Sequence, residues 1–225
     1  TATNAMSEGG TLASTIRLSP LGAALHEMTI PRRTTEAIDG APVQVSWLGY
    51  PASTGLPGHI APSVVAGDGT IFAFGGFPQL GAVAVKTGGK GDVTGTHQLW
   101  RTRDSSYVPT PVLHEGRLFV VTDQGFALCL DAKSGELLFK ERLPGASATG
   151  RGGKPFYASA VLAGGNFYAV SRRNGTFVIE AKPQFKLVAH NTLASDSTQF
   201  NATPALGGKE LFLRSDKFLY CLATP

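Results

Sequence analysis

The chain has 225 residues, 42% apolar and 16% charged, with a net charge of +4. That balance belongs to a folded protein, and so mild a charge without any Lys/Arg-rich run argues against nucleic acid as a partner. No apolar stretch approaches the roughly 20 residues of a membrane helix, so no transmembrane segment is expected.

Residues 1–58 come first and are the least regular. The opening ten are small and polar and show no secretory signal. A weak helical periodicity runs from Leu21 to Met28, and two pieces read as strands, Thr11–Leu18 and Val43–Leu48. The second carries Trp47 and reads as the outer strand of a blade lying before His59. This segment is expected to hold degenerate or partial blade strands.

From His59 onward short apolar runs alternate with Gly-rich turns, and one pattern is written four times. Thr110-Pro111-Val112-Leu113-His114-Glu115-Gly116 followed by Leu118–Val121 is the clearest copy. Ala61-Pro62-Ser63-Val64-Val65 with Ile71–Phe74 stands 49 residues before it, and Ser159–Val170 stands 49 after it. Thr203–Leu213 is the last copy. A period of this size marks a unit that buries its apolar face only against a neighbour.

Within the clearest copy Thr110–His114 is a first strand and Leu118–Thr122 a second, uniformly apolar and so buried on both sides. Asp123-Gln124-Gly125 turns the chain, Phe126–Leu130 is a third strand, and Glu136–Leu143 a fourth after the turn Asp131–Gly135. Four antiparallel strands repeated at under about 50 residues make a propeller blade. The expected fold is all-β, with blades at 59–102, 107–143, 156–190 and 200–223. In the first of them a long glycine-rich hairpin runs from Gly88 to Thr96.

The segment Leu128-Cys129-Leu130-Asp131-Ala132-Lys133-Ser134-Gly135-Glu136-Leu137-Leu138-Phe139 resembles the repeat of the PQQ-like (quinoprotein-type) β-propellers. Ser134 stands for the usual Thr and Phe139 for the usual Trp. Asp and Ser close the turn on backbone amides, Gly takes the left-handed conformation, and the aromatic fills the gap between blades. Trp100 is the counterpart in the first copy, and Val188 stands where the third copy should carry its aromatic. The resemblance covers residues 59–223 and implies a ring of seven or eight blades. Four are present, the last with three strands, so the chain reads as the C-terminal part of a larger propeller that needs its missing half or a partner chain.

PQQ-dependent members of that family carry adjacent cysteines, an indole stacked on the quinone, and acidic calcium ligands. Here Cys129 and Cys221 lie in the same register of non-adjacent copies, expected as unbridged, buried, inert thiols. No acidic cluster has calcium-ligand spacing and no histidine pair has metal-ligand spacing, so no cofactor or metal is expected. No catalytic residue is assigned.

The remaining candidate is the face that carries the turns between second and third strands together with the connections between blades. It gathers seven basic residues (Arg103, Arg151, Lys154, Arg172, Arg173, Arg214, Lys217) against Asp104, Asp123 and Asp216. Arg172, Arg173, Arg214 and Asp123, with Tyr107 and Tyr157 as stacking surfaces, form the expected site for an acidic peptide or anionic ligand. A solvated charged rim is the alternative. The expected function is a non-catalytic, extracytoplasmic (periplasmic or secreted) scaffold or recognition module. The alternatives are an enzyme whose catalytic residues lie in a missing half, and a sugar-binding module.

Overall fold

The computed structural model describes residues 2–6, 12–16, 28–31, 51–52, 56, 60–77, 79–88, 91–146 and 153–223. They fall into two compact units, Thr1–Thr54 with Thr87–His97, and Gly55–Lys86 with Gln98–Pro225. In the first unit Ala2–Met6, Leu12–Ile16 and Met28–Pro31 form an antiparallel sheet. Pro51–Ala52 pairs in parallel with Gly91–Asp92, ahead of one helical turn at Thr94–His97. The stretch read as a glycine-rich hairpin of the first blade therefore belongs to this unit. Val43–Leu48 with Trp47, and residues 21–27 of the helical periodicity, lie outside the described residues.

Among the described residues the second unit has three four-stranded blades and one of three strands, all antiparallel and in chain order. Blade 1 is Val65–Gly67, Thr70–Gly75, Gly81–Lys86 and Gln98–Thr102. Blade 2 is Val112–His114, Arg117–Val121, Phe126–Asp131 and Leu137–Arg142. Blade 3 is Val161–Ala163, Asn166–Val170, Thr176–Glu180 and Leu187–Asn191. Blade 4 is Ala205–Gly207, Glu210–Arg214 and Leu219–Ala223.

Alternation along the second and third strands sends one set of side chains forward to the next blade and the other set back. Phe72, Phe74, Ala82, Ala84 and Trp100 of blade 1 meet Leu118, Val120, Leu128 and Leu130 of blade 2 in one cluster. Phe119, Val121, Ala127, Cys129 and Phe139 of blade 2 meet Phe167, Ala169, Phe177 and Ile179 of blade 3 in another. Between blades 3 and 4 the cluster is thinner, with Val170 and Leu213 at its centre and Tyr220 packed against it.

A second tie accompanies each packed face. The N–H of Ser63 donates to Thr110 Oγ1 (2.9 Å), that of Thr110 to Ser159 Oγ (2.9 Å), and that of Ser159 to Thr203 Oγ1 (3.1 Å). One hydroxyl at the entry of each first strand thus caps the blade before it. This ladder corrects the repeat register. Ser63, 47 residues before Thr110, is the equivalent position rather than Ala61. The Pro after Ala61 and the Pro after Thr110 invite the wrong alignment.

The turn motif performs as its residues require. Asp131 Oδ1 accepts from the N–H groups of Lys133 (3.0 Å) and Ser134 (2.8 Å) and from Ser134 Oγ (2.9 Å). Gly135 has φ of 74°, and a Cβ there would stand 2.6 Å from the Trp100 ring. Trp100 lies flat on this turn with its Nε1 donating to the Ala132 carbonyl at 2.9 Å. Phe139 repeats the arrangement one blade on, edge-to-face with Phe185 at 5.6 Å between centroids. In blade 3 the equivalent residue is Ala189, paired with Val178 as Phe139 is with Cys129, and not Val188. The blade-3 turn closes from Glu180 N–H to Lys186 O, one residue longer than Asp131 N–H to Glu136 O, and this shifts the count. Both cysteines are free, but only Cys129 is buried; Cys221 is exposed, against the expectation of two buried thiols.

Candidate binding site on the loop face

In blades 2, 3 and 4 the turn between second and third strands opens with a hydroxyl that is not among the expected site residues, whereas blade 1 has Gly75 at that place. Thr122 Oγ1 accepts from the Phe126 N–H (3.1 Å), Ser171 Oγ from the Asn174 N–H (3.1 Å), and Ser215 Oγ from the Phe218 N–H (2.9 Å). Their identical place in the repeat was the available signal. In blade 3 the connection runs from Ser171 to Gly175, longer than the two-residue Asn-Gly turn its sequence suggests, and the Ser171 N–H donates to the Gly175 carbonyl.

These turns meet the connections between blades, and the expected residues join there. Asp123 is buried, 1% exposed at its side chain, and takes a 2.9 Å ion pair from Lys154 in the connection between blades 2 and 3. It also accepts from the Tyr107 N–H at 3.3 Å. Asp216 holds the same position in blade 4 and accepts from the Gln199 N–H at 3.2 Å. Between them blade 3 has Arg172, which reaches out instead. Its Nε donates to Asn201 Oδ1 (2.8 Å), one Nη to the Lys154 carbonyl (3.4 Å), and the other to Gln199 Oε1. The guanidinium also stacks on Tyr157 at 4.4 Å. Arg172 therefore clamps the two connections that flank it, and its fork is largely used within the chain.

Arg173 is exposed and spends one donor on the Ser197 carbonyl at 3.2 Å. Tyr157 is 39% exposed, and Tyr107 stacks at 5.5 Å on Phe77, itself 52% exposed. The structure thus joins Tyr107, Asp123, Lys154, Arg172 and Tyr157 into one network, flanked by the open cation of Arg173. Arg214 stands apart from them. It ends the second strand of blade 4, exposed, without an ion pair or hydrogen bond from its side chain among the described residues. Arg151 lies outside the described residues.

Beside this network Asp196 accepts from Thr198 N–H (2.8 Å), Thr198 Oγ1 (2.6 Å) and the Tyr220 hydroxyl (2.8 Å). The bonds from Thr198, then from Ser215 and Tyr220, hold its carboxyl well below the usual range. It borders a cleft of about 50 Å³ with Ser171, Arg173 and Phe200. That volume suits a few waters and falls far short of the roughly 300 Å³ of an organic-ligand pocket. Trp100 is spent between two blades with its indole N–H bonded, and the two cysteines lie in separate blades.

The fold and this face define a β-propeller blade array whose turns and inter-blade connections form one bonded surface. Residues 89–178 match the family described as outer membrane protein assembly factor BamB. That match spans less than half of the chain, and with the fold it makes this part similar to the PQQ-like propeller repeat proteins. Among solved structures, BamB from Moraxella catarrhalis superimposes with a TM-score of 0.52 at 12% identity, over 69% of this chain and 44% of that one. The computationally designed Ika4 protein gives 0.52 at 11% identity, over 76% and 96%. The quinohemoprotein alcohol dehydrogenase ADHIIG from Pseudomonas putida HK5 gives 0.50 at 12%, over 72% and 29%. At these identities the likeness is one of fold, and the chain spans less than half of the BamB structure. No curated protein matches the sequence.

Proposed function

We propose that the chain is a non-catalytic recognition module that binds a protein partner or anionic ligand on its loop face. The observation that carries this is the rigid network from Tyr107 to Tyr157, which holds exposed aromatic surface beside the open cation Arg173. Aromatic surface held by a saturated polar network loses little entropy on binding, as recognition hot spots require. The match to an outer membrane assembly factor supports an extracytoplasmic setting and a protein partner. The four blades fit as part of a ring of seven or eight, completed by further blades or a partner chain, and no quinone is taken up.

The test uses the longest native form of the protein. Arg173→Glu with Lys217→Glu should remove co-purification of the partner while the thermal midpoint stays within about 2 °C, as for exposed substitutions. Undiminished co-purification would return this face to a solvated rim. The likeness to a quinohemoprotein dehydrogenase favours one second reading, an enzyme with its catalytic residues in other blades. Quinone titration with redox-dye reduction separates the two, since turnover would overturn the recognition reading.

A further inference from the structure

In the cleft beside Asp196, blade 3 departs from the apolar pattern that the other blades keep. Strand register makes Thr176, opposite Val170, the equivalent of Ala82, Ala127 and Leu219. Blade 3 thus sets a hydroxyl where each of the others sets an apolar side chain. Thr176 is 7% exposed and lines the cleft, and its hydroxyl has no hydrogen bond among the described residues. A hydroxyl so enclosed costs free energy unless it is bonded, so its place here points to a group that enters the cleft and meets it.

The rim departs in the same way. After blade 2 the connection is sealed by Leu143 and Ala146, 1% and 3% exposed within the apolar cluster. Their equivalents after blade 3 are Leu193 and Asp196. The same turn closes from Asp196 N–H to Leu193 O at 3.0 Å as from Ala146 N–H to Leu143 O at 3.2 Å. A carboxylate therefore stands where the preceding blade has a methyl group, and the Thr198 and Tyr220 hydroxyls hold it in place. Arg173 also borders the cleft, with one donor on the Ser197 carbonyl and the rest of its fork open. Val170, Leu193, Phe200 and Leu213 supply apolar walls.

This set of groups selects by elimination. A carboxylate entering the cleft would meet Asp196, and an ammonium would meet Arg173, like charge on like. A sugar ring exceeds the volume of about 50 Å³, and a single hydroxyl fills the place of one water only. A primary carboxamide has the size of a few waters and separates its donors from its acceptor, so it answers both ions at once. We propose that this cleft is a subsite for one primary carboxamide, the head of an Asn or Gln side chain that the partner presents, with Asp196 accepting from its nitrogen and Arg173 and Thr176 donating to its oxygen. The origin of the carboxamide rests on the recognition reading above, and its chemistry rests on the cleft alone.

The test uses the longest native form of the protein with labelled methyl groups, and reads the methyl resonances of Val170, Leu193 and Leu213 by NMR. Acetamide should shift them saturably, with a dissociation constant on the order of 10 mM. Acetate, methylammonium and ethanol at equal concentration should not. Thr176→Val keeps the apolar residue type of the other blades and should weaken acetamide about tenfold, as for a site deprived of one designed hydrogen bond. Asp196→Asn should admit acetate, which Arg173 then holds. Equal shifts from all four probes, an acetamide affinity unchanged in Thr176→Val, or acetate still excluded from Asp196→Asn overturns the proposal. The probes need no partner, so their failure with partner co-purification intact strikes the subsite alone. Selective acetamide binding in a protein that co-purifies no partner would strike the recognition reading and leave the carboxamide subsite standing.

Discussion

Asp131 shows how one carboxylate closes a turn. The Ser134 N–H bond does most to hold its carboxyl below the ordinary value, and the Ser134 hydroxyl and the Lys133 N–H add to it. In the unfolded chain the group titrates near about 4, so the folded state binds its proton more weakly. The stability it contributes is complete above about pH 4 and is lost as pH falls through the folded value. Asp131→Ala should therefore cost about 1 kcal/mol at neutral pH, as for loss of a capping side chain, and flatten the fall in urea midpoint below pH 4. Asp123 and Lys154 illustrate the opposite case, a buried ion pair. Lys154→Met leaves the carboxylate at Asp123 without its partner and should cost about 3 kcal/mol, while adding Asp123→Leu should recover most of it. A double-mutant cycle by urea denaturation checks both.

At the scale of elements, the aromatic plug and the glycine turn it rests on form one joint. Trp100→Ala and Phe139→Ala should each cost about 3–5 kcal/mol in denaturant unfolding, through the cavity left between blades. Gly135→Ala should be nearly as damaging as the Trp100 change, because a Cβ there collides with the indole and φ is 74°. First-strand hairpins carry a smaller strain. Asp68 and Glu115 adopt positive φ, where blade 3 has Gly164. The Glu115 carboxylate has long 3.8 Å contacts to His114 and Arg117, and its carbonyl accepts from Arg117 at 3.3 Å, which offsets little of this. Glu115→Asn should raise stability by about 0.5 kcal/mol, read from the denaturant midpoint, since Asn suits this turn conformation better.

At the scale of the blade array, three successive interfaces repeat one packing and one hydroxyl rung, and the connections lock them from the loop side. Arg172 spans two of those connections. Charge reversal at Arg172 should lower the thermal midpoint by several degrees, about 2 kcal/mol, for the loss of three donors and a ring contact. The same change at exposed Arg173 should leave the midpoint nearly unchanged, and differential scanning fluorimetry on the two variants checks the contrast.

The repeat, the strand order within each blade and the Asp-x-x-Ser-Gly turn were legible in the sequence. They rest on local physics: period-2 alternation, turn chemistry, and an aromatic residue on the fourth strand of each of the first two blades. Three things were decided only in the folded array. The true register came from a hydrogen bond between residues 47 apart, which no local pattern encodes. The role of Arg172 came from acceptors on two connections that folding brings together, so a cation that looked free in sequence proved to be a clamp. Cys129 and Cys221 occupy the same place in the repeat, yet one is sealed and the other open. Burial belongs to the surroundings of a residue as much as to the residue, and equivalent places in a repeat need not share it.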